Sequence, residues 1–266
     1  MKPQYARALN DIWAGAGSWQ MWTRLGWLDI RRRYRRTAIG PIWTSFNVAT
    51  MVFSVGFLWA ALFNQPTSDY MPFLCAGIVV WQLINSIVTE GGTVFIGAQS
   101  LLTSMKIPQS LLVAAMVWRN VIVFFHNLAV FAIVMVIWHV PLTLSTPLFL
   151  PGLVLLALNA LWVGILVGIV ATRFRDLPQL MTGIMQVMMF LTPVMWSRDI
   201  LKGKALASKI IDFNPLTHVV EIVRAPLLGS APPIESWIVS GLLVVVGGAT
   251  TLYMFSRFRQ RVPYWL

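Results

Sequence analysis

The chain reads as an all-α polytopic membrane protein: six transmembrane helices, an N-terminal amphipathic interfacial helix, and re-entrant outward-facing helices before the last span. Three observations predict this. Hydrophobic residues make up 58% of the 266 residues and charged residues 11%, against about 25% charged in a soluble domain. Six stretches (42–63, 71–88, 110–139, 148–171, 177–196 and 236–256) are apolar over roughly the 20 residues that a helix needs to cross hydrocarbon. An arginine-dense block, Arg31-Arg32-Arg33-Tyr34-Arg35-Arg36, sits directly ahead of the first stretch.

Charge sets the orientation. Basic residues close to a span hold that end on the cytoplasmic side. With the N-terminus inside and six crossings, the inward segments hold fourteen Lys and Arg, and the outward ones five, all in the single long connection 197–235. The short outward connections 64–70 and 140–147 carry none. The domain division is therefore a cytoplasmic segment at 1–41 with a basic interface helix, a six-helix transmembrane domain at 42–256, and a cytoplasmic tail at 257–266. A multi-pass membrane protein with both termini on the cytoplasmic side is predicted.

The elements follow in order. Residues 18–36 form an interfacial helix, because Trp19, Trp22, Leu25 and Leu28 keep a helical spacing and Trp13 and Trp27 favour headgroup level. The third span is overlong and extends beyond the bilayer or tilts. The inward loop 89–109, with Gly91-Gly92 and apolar positions closed by Pro108, predicts one or two short amphipathic helices. The outward segment 197–235 is too apolar for a solvated linker and predicts short helices dipping into the outer membrane boundary.

The residues exclude several functions. No Gly-x-x-x-x-Gly-Lys-Ser/Thr phosphate loop is present, so ATP is not bound by that route. No His-Glu-x-x-His, Gly-x-Ser-x-Gly or Asp-x-Asp pattern occurs, and one cysteine, Cys75, builds no disulfide or thiolate metal site. No cleavable signal and no appended soluble domain are expected. The net charge of +11 clusters beside apolar spans, which predicts anionic lipid headgroups rather than nucleic acid as its partner. His218 and Glu221 share a helix face, where a structural pairing with Arg224 one turn on is favoured over a metal.

Two residues inside the third span bear on transport. Arg119 and His126 lie on nearly one helix face. Either Arg119 reaches the inner headgroups, or both line a path for an anionic substrate. Aromatic residues offer stacking platforms for sugar rings; Phe53, Phe57, Trp59 and Trp81 are path candidates, with Trp118, Phe124 and Phe125 beside them. Gly164 and Gly168, and separately Gly247 and Gly248, permit close helix approach, within the chain or across a dimer.

Three ordered motifs carry a resemblance. Arg33-Tyr34-Arg35-Arg36-Thr37-Ala38-Ile39-Gly40-Pro41-Ile42-Trp43 leads into the first span, Arg173-Phe174-Arg175-Asp176 follows the fourth, and Asn214-Pro215-Leu216-Thr217-His218-Val219-Val220-Glu221-Ile222-Val223-Arg224 precedes the sixth. Over essentially its whole length the chain resembles the permease subunit of type-2 ABC exporters of polysaccharides such as O-antigen, capsule or teichoic acid. Two departures stand out: Ile39 where leucine is commoner, and Gln109 where a base follows the proline.

The resemblance implies a homodimer with two copies of a separate ATPase, which binds the ATP and Mg, and no cofactor in this chain. It implies the bacterial inner membrane as the location and a lipid-linked polysaccharide as cargo, most directly lipopolysaccharide O-antigen. Capsule or teichoic acid, or a drug or lipid in an exporter of the same architecture, are the alternatives. An integral-membrane transferase acting on lipid-linked sugars and an assembly scaffold are readings of other classes. A mechanical coupler should be short, stiff and at the inner surface, which selects Lys106, Arg173, Arg175 and Asp176 as ATPase-coupling candidates. Arg33, Tyr34, Arg35, Arg36, Gly40, Pro41 and Trp43 form the lead-in motif. Asn214, Pro215, His218, Glu221 and Arg224 form the outward re-entrant motif.

Overall fold

A computed structural model describes residues 3–35, 37, 40, 42–62, 64–198 and 205–266; Arg36 and Pro41 of the lead-in motif lie outside the described residues. Among the described residues all regular structure is helical. In chain order the helices are α1 (Pro3–Gly17), α2 (Trp19–Tyr34), α3 (Ile42–Leu62), α4 (Thr67–Gly91), α5 (Val94–Gly97), α6 (Gln99–Ser104), α7 (Gln109–Ile137), α8 (Phe149–Arg173), α9 (Leu177–Leu191), α10 (Ala205–Asp212), α11 (Pro215–Leu227), α12 (Ile234–Phe258) and α13 (Val262–Trp265).

Five of these, α3, α4, α7, α8 and α12, are long and apolar enough to cross a membrane. Helices are the form expected there, since hydrocarbon offers no partner to an unpaired backbone group. The sixth apolar stretch, 177–196, behaves differently. Its helix α9 has 15 residues, about 22 Å at 1.5 Å per residue, short of the roughly 30 Å hydrocarbon core. The cause is Pro193: proline disfavours helical backbone in the residue before it, and Thr192 is extended at φ −97°, ψ 136°. Apolar composition continues through Val194 and Met195, but these are buried in a turn against the protein. The Tyr70 hydroxyl donates to the Met195 carbonyl.

The hub is α4. Nearly every side chain from Tyr70 to Ile84 is buried, as expected of a helix that is apolar on all faces. α7 runs antiparallel to it, so that Glu90 meets Arg119 and Asn120, and Gln82 meets Asn127 at 3.1 Å. α8 packs beside both. Gly164 lies against Val113 and Met116 of α7, and Gly168 against Phe95 of α5, so this small-residue pair serves packing within the chain. α3 and α12 lie outermost and leave much of their apolar surface open.

The N-terminal segment holds two helices where the sequence predicts one. α1 and α2 both pack on the first turns of α7, which accounts for the length of α7, 29 residues. The buried residues of α2 are Gly26 and Ile30, whereas Trp19, Trp27 and Leu28 are exposed. Gly26 sits so close to α7 that a Cβ there would lie 2.9 Å from the Ala115 carbonyl oxygen. Close backbone approach at Gly26, with Trp22 edge-on to Trp118 at 5.8 Å, therefore sets the face of α2 that packs on α7. The loop 89–109 forms the two short helices α5 and α6, and the segment 197–235 contains α10 and α11. Both chain ends meet at one end of the bundle, where Asp11 pairs with Arg259.

Candidate functional site

Half of the predicted site residues that are described fall at the end where the termini meet. There α2, α4 and α7 share one ion cluster. Arg119 donates to Glu90 at 2.7 Å and to Asp29 at 2.7 Å; Arg33 reaches the other Glu90 oxygen at 2.8 Å, and Asn120 donates to Glu90 at 2.8 Å. Glu90 and Arg119 are mostly enclosed, at 20% and 14% side-chain exposure. A charge so placed is tolerated because it is paired and hydrogen-bonded on several sides. Burial alone works to lower the Arg33 pKa, but the Glu90 carboxylate outweighs it and holds the guanidinium above its ordinary value. Arg119 thus ties α7 to α2 and α4.

A second staple sits at the start of α7. Pro108 occupies the N-cap position without a side-chain cap, leaving the first amides in need of an acceptor. Asp11 of α1, 3% exposed, supplies it from a distance: its oxygens accept from Gln109 N at 3.2 Å and Ser110 N at 3.0 Å. The same carboxylate holds Arg259 at the end of α12 at 2.6 Å. Asp11 and Asp29 escaped the sequence analysis. The available signal was an isolated acid in a strongly basic segment, together with a helix start lacking its own capping side chain.

The four coupling candidates lie exposed at this same end, on two sides of the turn from α12 into α13. Lys106 lines a cleft with Arg7, Asp11, Arg259 and Pro263. Arg173, the last residue of α8, lies 5.7 Å from the Trp265 ring centroid, and Arg175 donates to the Leu266 carbonyl at 2.8 Å. Asp176 stands at the N-cap of α9 without a side-chain hydrogen bond to the helix. In the lead-in motif Tyr34 is half-buried and Arg35 exposed. Gly40 has φ +61°, a left-handed conformation that glycine adopts at little cost. Trp43 stacks on Phe46 at 5.7 Å.

The path candidates do not share a surface. Trp81 is 4% exposed within the core. Trp59 is half-buried, and the His126 ring bonds back to the Ile122 carbonyl at 2.8 Å. Phe53 stacks with the exposed Phe57 at 6.5 Å and meets the Trp138 ring at a tilt, 6.2 Å between centroids. Phe57 belongs to a face of α3 that the sequence analysis did not assemble: Trp43, Phe46, Asn47, Thr50, Ser54 and Phe57 are all exposed and fall within one arc of the helix. On α9, Gln179, Thr182 and Gln186 form an exposed polar row with the same three- and four-residue spacing as Asn47, Thr50 and Ser54.

The outward motif is a clamp. The Asn214 side chain caps α11 by accepting from Leu216 N at 3.0 Å, and donates to Thr192 at 2.9 Å. Pro215 takes the first helical position, where its missing N–H costs nothing. Arg224, 4% exposed, pairs with Glu221, donates to the Pro193 carbonyl and lies 4.3 Å from the Phe73 ring centroid. His218 bonds the Asp212 carbonyl at 2.9 Å and Ser236 at 3.1 Å, so it joins α11 to α12 rather than to Glu221. Together these contacts hold the turn after α9 against α4 and α11.

Comparison with known proteins agrees with this architecture. The ABC-2 type transporter family model matches residues 20–228. The chain is similar to an O-antigen export system permease protein RfbA of Myxococcus xanthus, 22% identical over 204 residues, covering 74% of this chain and 76% of that one. Two permease proteins of the same name from Klebsiella pneumoniae are 23% and 22% identical, covering 72% and 88% of this chain and 74% and 90% of their own lengths. A family match over most of the chain, on a bundle with five helices fit to cross a membrane, identifies a multi-pass membrane protein of the ABC-2 type transporter family.

Proposed function

We propose that the chain is the transmembrane subunit of an ATP-driven exporter that carries lipid-linked O-antigen across the bacterial inner membrane. Two copies form the conduit, and two copies of a separate ATPase bind ATP and Mg. The observation that carries this reading is the mixed aromatic and polar face of α3. Hydroxyl and amide groups cost free energy when they face hydrocarbon unpaired, so Asn47 and Ser54 beside Trp43, Phe46 and Phe57 suit a path better than a lipid face. Sugar rings stack their C–H faces on aromatic surfaces while their hydroxyls bond to the polar row. The matching row on α9 supplies the opposite wall when two subunits meet. In this arrangement α9 and the turn after it complete a sixth crossing.

The basic end faces the cytoplasm, because its arginines are the charges that the positive-inside rule retains there. Force from the ATPase enters through Lys106 and Arg173–Asp176. Arg175 passes it to the C-terminal turn, and Asp11 and the Glu90 cluster pass it into α7 and α4. Complementation tests the cargo. In a strain lacking its own O-antigen permease, the chain with its ATPase restores the O-antigen ladder at the cell surface. Restored capsule with no ladder would assign the neighbouring substrate instead.

A further inference from the structure

An apolar cleft runs between α7 and α8 on the side of the bundle where α1 and α2 cross the start of α7. Ser110, Ala114, Val117, Trp118 and Val121 form one wall, and Leu153, Ala157, Leu158, Leu161 and Ile165 the other. Ile12 and Ala16 of α1 and Trp22 of α2 close one end. From Ser110 to Val121 it extends about 17 Å along α7 at 1.5 Å per residue. Three features need an occupant. The cleft opens between two helices long enough to span the bilayer, with Val154 and Leu158 exposed at its edge. The Trp22 indole N–H is buried yet meets no acceptor, and a buried indole N–H ordinarily has one. Arg24, Arg31 and Arg32 of α2 are exposed and pair with no carboxylate among the described residues.

We infer that this cleft holds an anionic diacyl phospholipid of the surrounding bilayer. One acyl chain lies along α7 and α8, an ester or phosphate oxygen accepts from the Trp22 N–H, and the headgroup meets the α2 arginines. A hydrocarbon chain satisfies the walls but not the indole; an inorganic anion satisfies the indole but not the walls. A phospholipid satisfies both and is present wherever the protein resides. The lipid then acts as a gasket, filling the gap between the basic N-terminal helices and the spanning bundle. The inference depends on the membrane location and not on the exported substrate.

Photo-crosslinking tests it. The full chain is placed in vesicles carrying diazirine-acyl phosphatidylglycerol or phosphatidylcholine of the same acyl length, and adducts are mapped by mass spectrometry. Labelling concentrated on the 110–121 and 153–165 segments is expected, with the anionic probe favoured. Trp22→Phe, which keeps the ring and removes the donor, should reduce it about three- to tenfold. Ala157→Phe, which fills the cleft, should abolish it while adducts on the open apolar face of α12 (Ile238, Leu242, Val245) persist. Uniform labelling of all open faces, equal labelling by the two lipids, or indifference to both substitutions overturns the inference. So does loss of phosphatidylglycerol labelling when a polyprenyl phosphate is present at equal concentration during irradiation.

Discussion

Arg119 Nη2 lies 2.7 Å from Glu90 Oε2, and this contact decides how an arginine sits ten residues inside an apolar helix. The pair bridges the end of α4 and the middle of α7, and Arg119 extends it to Asp29 on α2. Removing one member leaves the other charge poorly solvated. Arg119→Ala or Glu90→Ala is expected to cost about 3–5 kcal/mol, read as loss of monodispersity on heating in detergent. The double Glu90→Leu/Arg119→Leu variant should be less damaged than either single truncation.

Asp11 predicts a second outcome. Asp11→Ala removes the cap of α7 and strands Arg259, a combined loss of about 3 kcal/mol. Asp11→Asn keeps an acceptor for one amide but loses the charge, and should cost about half as much by the same reasoning. Thermal unfolding of the three proteins side by side checks the order.

The turn after α9 rests on a missing side chain. A Cβ on Gly77 would lie 2.6 Å from the Val194 carbonyl oxygen. Gly77→Ala should therefore cost about 1–3 kcal/mol through overpacking and expose the 192–196 turn to proteolysis. Gly241→Ala on α12, where nothing lies within 4 Å, should leave both unchanged.

The polar row of α3 yields a functional prediction. Asn47→Leu and Ser54→Ala together should slow export about fivefold to twentyfold, a hydrogen bond to the substrate being lost at each site, with the protein level unchanged. Thr250→Val on α12, whose hydroxyl bonds back to the Val246 carbonyl at 2.8 Å, is the control and should have no effect. Quantifying surface O-antigen in cells checks both.

Five helices were legible in the sequence to within a few residues, because a long apolar run in hydrocarbon has one backbone solution. The sixth apolar stretch is helical only as far as Leu191. Val194 and Met195 are as apolar as the residues before them, and hydropathy cannot distinguish burial in lipid from burial against Tyr70 and Gly77; Pro193 was the sign. Residues acting through local spacing, such as Asn214 and Pro215 at the start of α11, could be found in the motif. Pairings across the fold could not. Nothing near Arg119 in the chain announces Asp29, and nothing near Gln109 announces Asp11, since their separation is set by helix packing. The packed face of α2 was hidden for a related reason: Gly26 carries no hydrophobicity, yet its bare Cα lets the helix lie against the Ala115 carbonyl.

The central claim is that this chain is a conduit driven by another subunit's ATP. Its most direct test is reconstitution of the purified chain in vesicles, with and without the separate ATPase, following transfer of lipid-linked O-antigen to the far leaflet. Transfer that requires both the ATPase and ATP, with no hydrolysis by the chain alone, is predicted. Hydrolysis, or covalent modification of the glycan lipid, by the isolated chain would contradict it.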